Sequence, residues 1–187
     1  MEWLIQQDQA LFQWLNGLHH PWVDPIMWGI SEKLTWIPAY LVLLVMIFRR
    51  EGWKGTLLLL ACVGVLITIS DQTASGILKP WVERFRPCRL EANLDFVVHT
   101  LNGKCGGKYG FASSHAANFF ALATFLSLFF RENRLTILFF FLATAVAYSR
   151  VYLGVHYPGD VLAGAGIGVL AGVICIMLFN TGKKRLE

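Results

Sequence analysis

Apolar and polar positions alternate along the chain in long blocks, and the charges fall in short bursts between apolar runs. The first block is mixed. Between Glu2 and Leu18, Leu4, Leu11, Leu15 and Leu18 recur at helical spacing among Gln6, Gln7, Asp8, Gln9 and Gln13. This predicts a helix with one apolar stripe, lying in a membrane interface rather than crossing it. His19 and His20 follow in a turn before Pro21 and read as loop residues without chemistry. Five apolar blocks long enough to span a bilayer come next. The first runs from about Pro25 to Phe48. Ser31, Glu32 and Lys33 inside it are costly in lipid unless they pair near the interface or line a wet substrate groove. The second, about Lys54 to Leu78, is clean until Ser70 and Asp71. The third begins at about Ser114, and the fourth covers about Leu135 to Tyr152. The fifth, about Gly159 to Asn180, carries Gly164, Gly166, Gly168 and Gly172, as close helix packing in lipid favours.

Composition agrees with this pattern. The chain has 187 residues, 56% of them apolar and 15% charged, with a mean hydropathy of +0.53. The expectation is an all-α, polytopic transmembrane bundle of five spanning helices plus the N-terminal interfacial helix, six in all. Residues 1–187 then form a single membrane-embedded domain, with the interfacial helix at 1–20 and a long extracytoplasmic loop at 79–112. The net charge of +4 is small and split among loops, which argues against a nucleic-acid partner. No basic segment precedes an apolar one at the N-terminus, so no cleavable signal is expected. Arg49, Arg50, Arg131, Arg134, Lys183, Lys184 and Arg185 all fall on one side of the alternation, which the positive-inside rule makes the cytoplasm. Bacterial inner membrane is the expected location.

The loop from Lys79 to Ala112 opens with KPWVERFRP, in which Lys79, Arg84, Arg86 and Arg89 crowd around a lone Glu83. Such a cluster repels itself unless an anion is expected, and phosphate is the natural guest; an ordinary positive cytoplasmic loop is the alternative. Asp71 lies two turns, ~12 Å, before Lys79, placed to support a site through hydrogen bonds. Gly103, Gly106, Gly107 and Gly110 let the backbone of the same loop approach a ligand. Cys88 and Cys105 both lie in it and pair if it faces an oxidising compartment, closing a loop that contributes about 3 kcal/mol. Cys62 and Cys175 sit alone in apolar runs as core residues.

Two further stretches carry candidate chemistry. In FASSH, Ser113 is placed to cap the third span, and the free amides beyond it make an anion seat with His115 at its mouth. In SRVYLGVHYPGD, Ser149 to Asp160, Arg150 offers a planar fork of donors and His156 a side chain that is nucleophilic at neutral pH. Asp160 falls four residues beyond His156. If Pro158 opens a helix, the carboxylate projects on the same side and orients the imidazole. A capped helix start with a surface histidine is the plainer alternative.

These three stretches together resemble the type-2 phosphatidic acid phosphatase family, membrane enzymes that share a catalytic core with vanadium-dependent haloperoxidases. The family's first motif, Lys, six residues, Arg-Pro, is met from Lys79 to Pro87. Its third, Ser-Arg, five residues, His, three residues, Asp, is met from Ser149 to Asp160. The second, usually Pro-Ser-Gly-His, stands here as Ala112, Ser113, Ser114 and His115, without the proline and glycine. The resemblance implies a lipid phosphate phosphatase that works through a phosphohistidine, without metal or other cofactor. His156 is then the nucleophile, Asp160 its orienting group and His115 the general acid and base. Lys79, Arg86, Arg150, Ser113 and the amide of Ser114 bind phosphate oxygens. The partners implied are the bilayer and a membrane lipid phosphate, of phosphatidic acid, phosphatidylglycerophosphate, undecaprenyl pyrophosphate or lipid A type. Two rival classes use the same residues differently. A metal-dependent hydrolase takes His115, His156 and Asp160 as ligands, and an anionic-lipid transporter uses the cations without chemistry.

Overall fold

The computed structural model describes residues 2–184; Arg185, counted above on the cytoplasmic side, lies outside them. Helix α1 (Glu2–Gly17) and a short α2 (Asp24–Ser31) lead through a 3-10 turn (Lys33–Trp36) into α3 (Ile37–Asp71). A π-helical stretch (Gln72–Leu78) joins α3 to α4 (Lys79–Val82), and α5 (Ser114–Phe130), α6 (Asn133–Tyr152) and α7 (Pro158–Lys183) complete the set. Among the described residues, three stretches are long and apolar enough to cross a membrane: Lys33–Val82, Asn133–Tyr152 and Pro158–Lys183. The first, at 50 residues, is two crossings. Gly52 breaks it with φ 66 and ψ −173, a conformation open to glycine alone.

Side-chain contacts mark the two directions. The Trp36 ring meets Phe119 near the start of α5 at 5.1 Å. Arg50 Nη1 donates to the Phe130 carbonyl at the other end of α5 (3.3 Å). Residues 53–82 then return, and Lys79 Nζ reaches Ser114 Oγ at 3.5 Å. Among the described residues the two halves of the Lys33–Val82 stretch, α6, α7 and the shorter apolar α5 run side by side with α1 outside them, the all-helical bundle expected from the pattern.

The predicted first span is less regular than its hydropathy suggests. The helix stops at Ser31, Glu32 is extended (φ −79, ψ 133), and winding resumes through the 3-10 turn. Glu32 pairs with Lys104 of the long loop at 3.2 Å rather than with its neighbour Lys33. A carboxylate near the interface takes a wet partner instead of continuing into lipid.

Helix α5 is the hub, with Ala121, Phe125 and Phe129 buried against Leu59, Leu66, Cys175 and Phe179. Lipid tails are as apolar as these side chains, so close packing rather than water exclusion holds the helices together. Gly164, Gly168 and Gly172 form the seam between α7 and α5; a Cβ on Gly168 would sit 2.8 Å from Ala121 N, and one on Gly172 2.6 Å from Thr124 Cβ. Gly166, out of phase, meets nothing.

The predicted leucine stripe divides: Leu4 and Leu11 of α1 and Leu18 just beyond it are exposed, as is Trp14, whereas Leu15 packs inward with Phe12. The inward face of α1 carries Phe12 and Asn16, both buried, and Asn16 Nδ2 donates to the Tyr152 carbonyl at 2.8 Å while Oδ1 accepts from His99 N at 2.8 Å. An apolar face turned to lipid and a polar anchor turned to protein suit an interfacial helix. His19, read as a plain loop residue, stacks on His99 with ring centroids 3.9 Å apart.

Candidate active site

The chemistry-bearing segments converge where α4, α5, α6 and α7 reach one end of the bundle. The chain between α6 and α7 is wound tightly back on α6: Val155 N and His156 N both donate to the Arg150 carbonyl, at 3.1 and 3.2 Å. Pro158 then opens α7, where its missing N–H costs nothing. Asp160, in the first turn, accepts from Tyr157 N at 3.0 Å. That bond aims the carboxylate back across the turn, and Asp160 Oδ2 lies 3.4 Å from His156 Nδ1. Both residues are buried, His156 at 1% exposure and Asp160 at 0%.

The other ring nitrogen, Nε2, lies 3.3 Å from Arg86 Nη1. A guanidinium can only donate, so Nε2 is the acceptor and Nδ1 carries the proton toward Asp160. In this tautomer the single Nε2 lone pair is turned to Arg86, and it becomes free to attack when the guanidinium shifts its bond to a bound oxygen. Burial, helped by the charges of Arg86, Arg150 and Lys79, holds the His156 imidazole well below the usual histidine range. It is therefore neutral at working pH, as a nucleophile must be.

Each predicted phosphate ligand has a defined place. Arg86 is buried; its Nε donates to Tyr109 O at 3.1 Å and its Nη1 to Val155 O at 3.3 Å. Arg150, in the last turn of α6, bonds Ser31 through Nη1, while its buried Nε has no acceptor. Lys79 Nζ donates to Ser75 Oγ at 2.9 Å and points on to Ser114 Oγ. Ser113 is the cap of α5, its hydroxyl accepting from Ala116 N at 3.5 Å, and it is fully buried. The hydroxyl turned toward the cations is that of Ser114. His115 follows in the same first turn, and Arg150, His156, Lys33 and Lys79 are the charged and ionisable groups that act on its ring. Arg86, Arg150 and Lys79 act on the His156 ring, and Arg150 and Lys79 on that of His115, an arrangement suited to a tetrahedral anion.

The glycine-rich part of the loop closes the pocket from one side. Strand-like pairing of Phe85 with Tyr109 and the bond from Gly110 N to Arg84 O, 2.8 Å, hold residues 84–86 against 108–110. A Cβ on Gly110 would lie 2.9 Å from Asp160 Oδ2 and 3.6 Å from His156 Nδ1. Cys88 and Cys105 are joined by a disulfide with Cα atoms 5.7 Å apart, which staples the two halves of this loop.

Not every candidate reaches the pocket. Asp71 contacts Asn118, whose Nδ2 donates to it at 3.4 Å, and it acts on Lys79 only through its charge. Of the basic cluster, Arg89 turns to the Gly106 carbonyl and Arg84 turns to carboxylates: Asp160 Oδ1 at 3.0 Å and Asp8 Oδ2 at 2.7 Å. The sequence places Arg84 only in the basic cluster expected to meet an anion, because its partner Asp8 is remote in the chain. Ser31, flagged only as a costly polar residue in a span, emerges as a support for Arg150. Among the described residues, no three His, Cys, Asp or Glu side chains converge as a bound metal ion requires.

Known proteins are similar to this chain in sequence and fold. The sequence profile of the PAP2 superfamily matches residues 56–184. The lipid A 4'-phosphatase of Bacteroides thetaiotaomicron is 37% identical over 187 residues, spanning 100% of this chain and 83% of that protein. The lipid A 4'-phosphatase of Porphyromonas gingivalis is 36% identical over 185 residues, 99% of this chain and 78% of its own length. The crystal structure of a transmembrane PAP2-type phosphatidylglycerolphosphate phosphatase from Bacillus subtilis superposes with a TM-score of 0.69 at 25% identity, covering 100% of this chain and 89% of that one. Motifs, helical architecture and these matches agree that the chain belongs to the PAP2 superfamily, the type-2 phosphatidic acid phosphatases.

Proposed function

We propose that this membrane protein is a metal-independent lipid phosphate phosphatase acting through a phosphohistidine. The observation that carries this reading is the buried His156, held through Nδ1 by Asp160 at 3.4 Å with Nε2 turned to the cations. In the first step the Nε2 lone pair attacks phosphorus and the bond to the lipid oxygen breaks. His115 gives that oxygen its proton. Lys79, Arg86 and Arg150, with the α5 N-terminus at Ser113 and Ser114, hold the nonbridging oxygens as charge builds. In the second step water attacks the phosphohistidine, His115 takes its proton, and the P–N bond breaks to release inorganic phosphate and restore His156. Asp160 keeps the proton on Nδ1 and balances the imidazolium character that develops on the ring.

The substrate is a phosphate on a membrane lipid, and a lipid A type phosphate fits best, because two relatives at 37% and 36% identity, spanning 100% and 99% of this chain, carry that name. Residues 1–187 act as one phosphatase unit in a bacterial inner membrane, with the pocket on the extracytoplasmic face. The disulfide in the pocket loop suits an oxidising compartment. Arg49, Arg50, Arg131 and Arg134 mark the opposite end.

The test is phosphate release from purified lipid A, phosphatidylglycerophosphate, undecaprenyl pyrophosphate and phosphatidic acid in detergent, with His156→Ala as the blank. Lipid A is expected to be turned over fastest, with and without chelator. Release by His156→Ala, or none by the native enzyme on any of the four, refutes the proposal.

A further inference from the structure

Helix α1 lies outside the residues matched by the superfamily profile, yet one of its side chains reaches the catalytic pair. Asp8 accepts from Gly159 N at 2.7 Å through Oδ1 and from Arg84 Nη1 at 2.7 Å through Oδ2. The same Nη1 donates to Asp160 Oδ1 at 3.0 Å, and Asp160 Oδ2 faces His156. The chain of contacts is therefore carboxylate, guanidinium, carboxylate, imidazole. Arg84 is fixed from a third side by Tyr157, its guanidinium carbon 3.8 Å from the ring centroid. Tyr157 packs edge-on against Phe12 of α1 at 5.3 Å. The position before Asp160 is cut to fit: a Cβ on Gly159 would lie 2.7 Å from Asp8 Oδ2.

We propose that Asp8 and Arg84 are positioning residues for the phosphatase reaction, through which the interfacial helix sets the orientation and electrostatic strength of Asp160 toward His156. This rests on the proposed function above. Arg84 anchors one oxygen of Asp160 so that the other points at Nδ1. Its charge also draws on the carboxylate that must stabilise a positive ring, and Asp8 offsets that pull. Removing Arg84 leaves the Asp160 charge fully felt by His156, and removing Asp8 leaves Arg84 unopposed. The two changes therefore move the ring in opposite directions. The other groups facing the pair are Arg86, Arg150 and Lys79 beside His156 and His115 across the pocket. None of these is altered by the test.

The test uses the full chain in detergent, with lipid A or whichever lipid phosphate the native enzyme turns over best, and follows kcat/KM against pH. A shared substrate cancels its own ionisation between variants. Arg84→Gln is expected to move the acid limb up by about one pH unit and Asp8→Asn to move it down by about half a unit. Both should lower kcat roughly tenfold with little change in KM. Arg84→Lys should return the limb toward the native position. Asp8→Asn keeps an acceptor for Gly159 N, so it decides the matter alone if Arg84→Gln does not fold. Loss of activity with the acid limb unmoved, or both variants moving it the same way, overturns the proposal. Native enzyme that is active while its variants share its profile sinks this inference alone; native enzyme inactive on every lipid sinks the proposed function with it.

Discussion

A histidine buried among three cations has a protonation state set by its surroundings, and this fixes a prediction for His156. Its folded pKa is held well below the ordinary value of 6.5, so between those two values the unfolded chain binds a proton that the folded protein does not. Stability from this group is complete above about pH 6.5 and is lost as pH falls below it. Thermal melts from pH 7.5 to 4.5 should show a falling midpoint in the native protein and a shallower fall in His156→Ala; parallel curves would refute the assignment. Gly110 yields a second expectation. With Asp160 Oδ2 2.9 Å from where its Cβ would stand, Gly110→Ala must displace Asp160 from His156. It should lower the melting midpoint, as overpacking does, and lower the kcat of the folded enzyme at least tenfold. At this scale the sequence was readable where spacing is short: Lys79 to Arg86 and Ser149 to Asp160 each lie within a few turns of chain. Arg84 was not readable, because Asp160 is 76 positions away and what separates a phosphate ligand from an anchor is which neighbour folding brings.

At the scale of elements, period and punctuation reported most of the helices, since lipid-facing segments must satisfy their backbone bonds internally. The start of the first span was misplaced. Hydropathy averages over Ser31, Glu32 and Lys33, whereas the helix breaks there so that Ser31 can meet Arg150 and Glu32 can meet Lys104. The glycines of α7 were legible as a packing seam, though only their phase decides which ones matter. Gly168→Val forces a side chain into the α5 backbone and should cost about 1–3 kcal/mol of stability, whereas Gly166→Val should be near neutral. Equal effects in a thermal melt would show that the seam is not where α5 and α7 meet.

For the whole molecule, the decisive property is that every motif-bearing segment ends on the same face. The opposite face holds simple ties, such as Lys183 Nζ to Glu51 at 2.6 Å. The reading of sidedness predicts that, after mild reduction of intact cells, a membrane-impermeant maleimide labels Cys88 and Cys105 from outside. Labelling only after the membrane is opened would invert the orientation. Alternation of charged turns made the shared face visible in the sequence, but not how α1 lies upon it, since contacts such as Asp8 with Gly159 span 151 positions.

Placing the pocket at the rim of the bundle has a consequence for the direction of the reaction. Its two products belong to different phases: the dephosphorylated lipid remains dissolved in the bilayer, and the phosphate diffuses away in water. Once separated they seldom meet again at one site, so partition itself keeps turnover running forward, with no energy source and no moving gate.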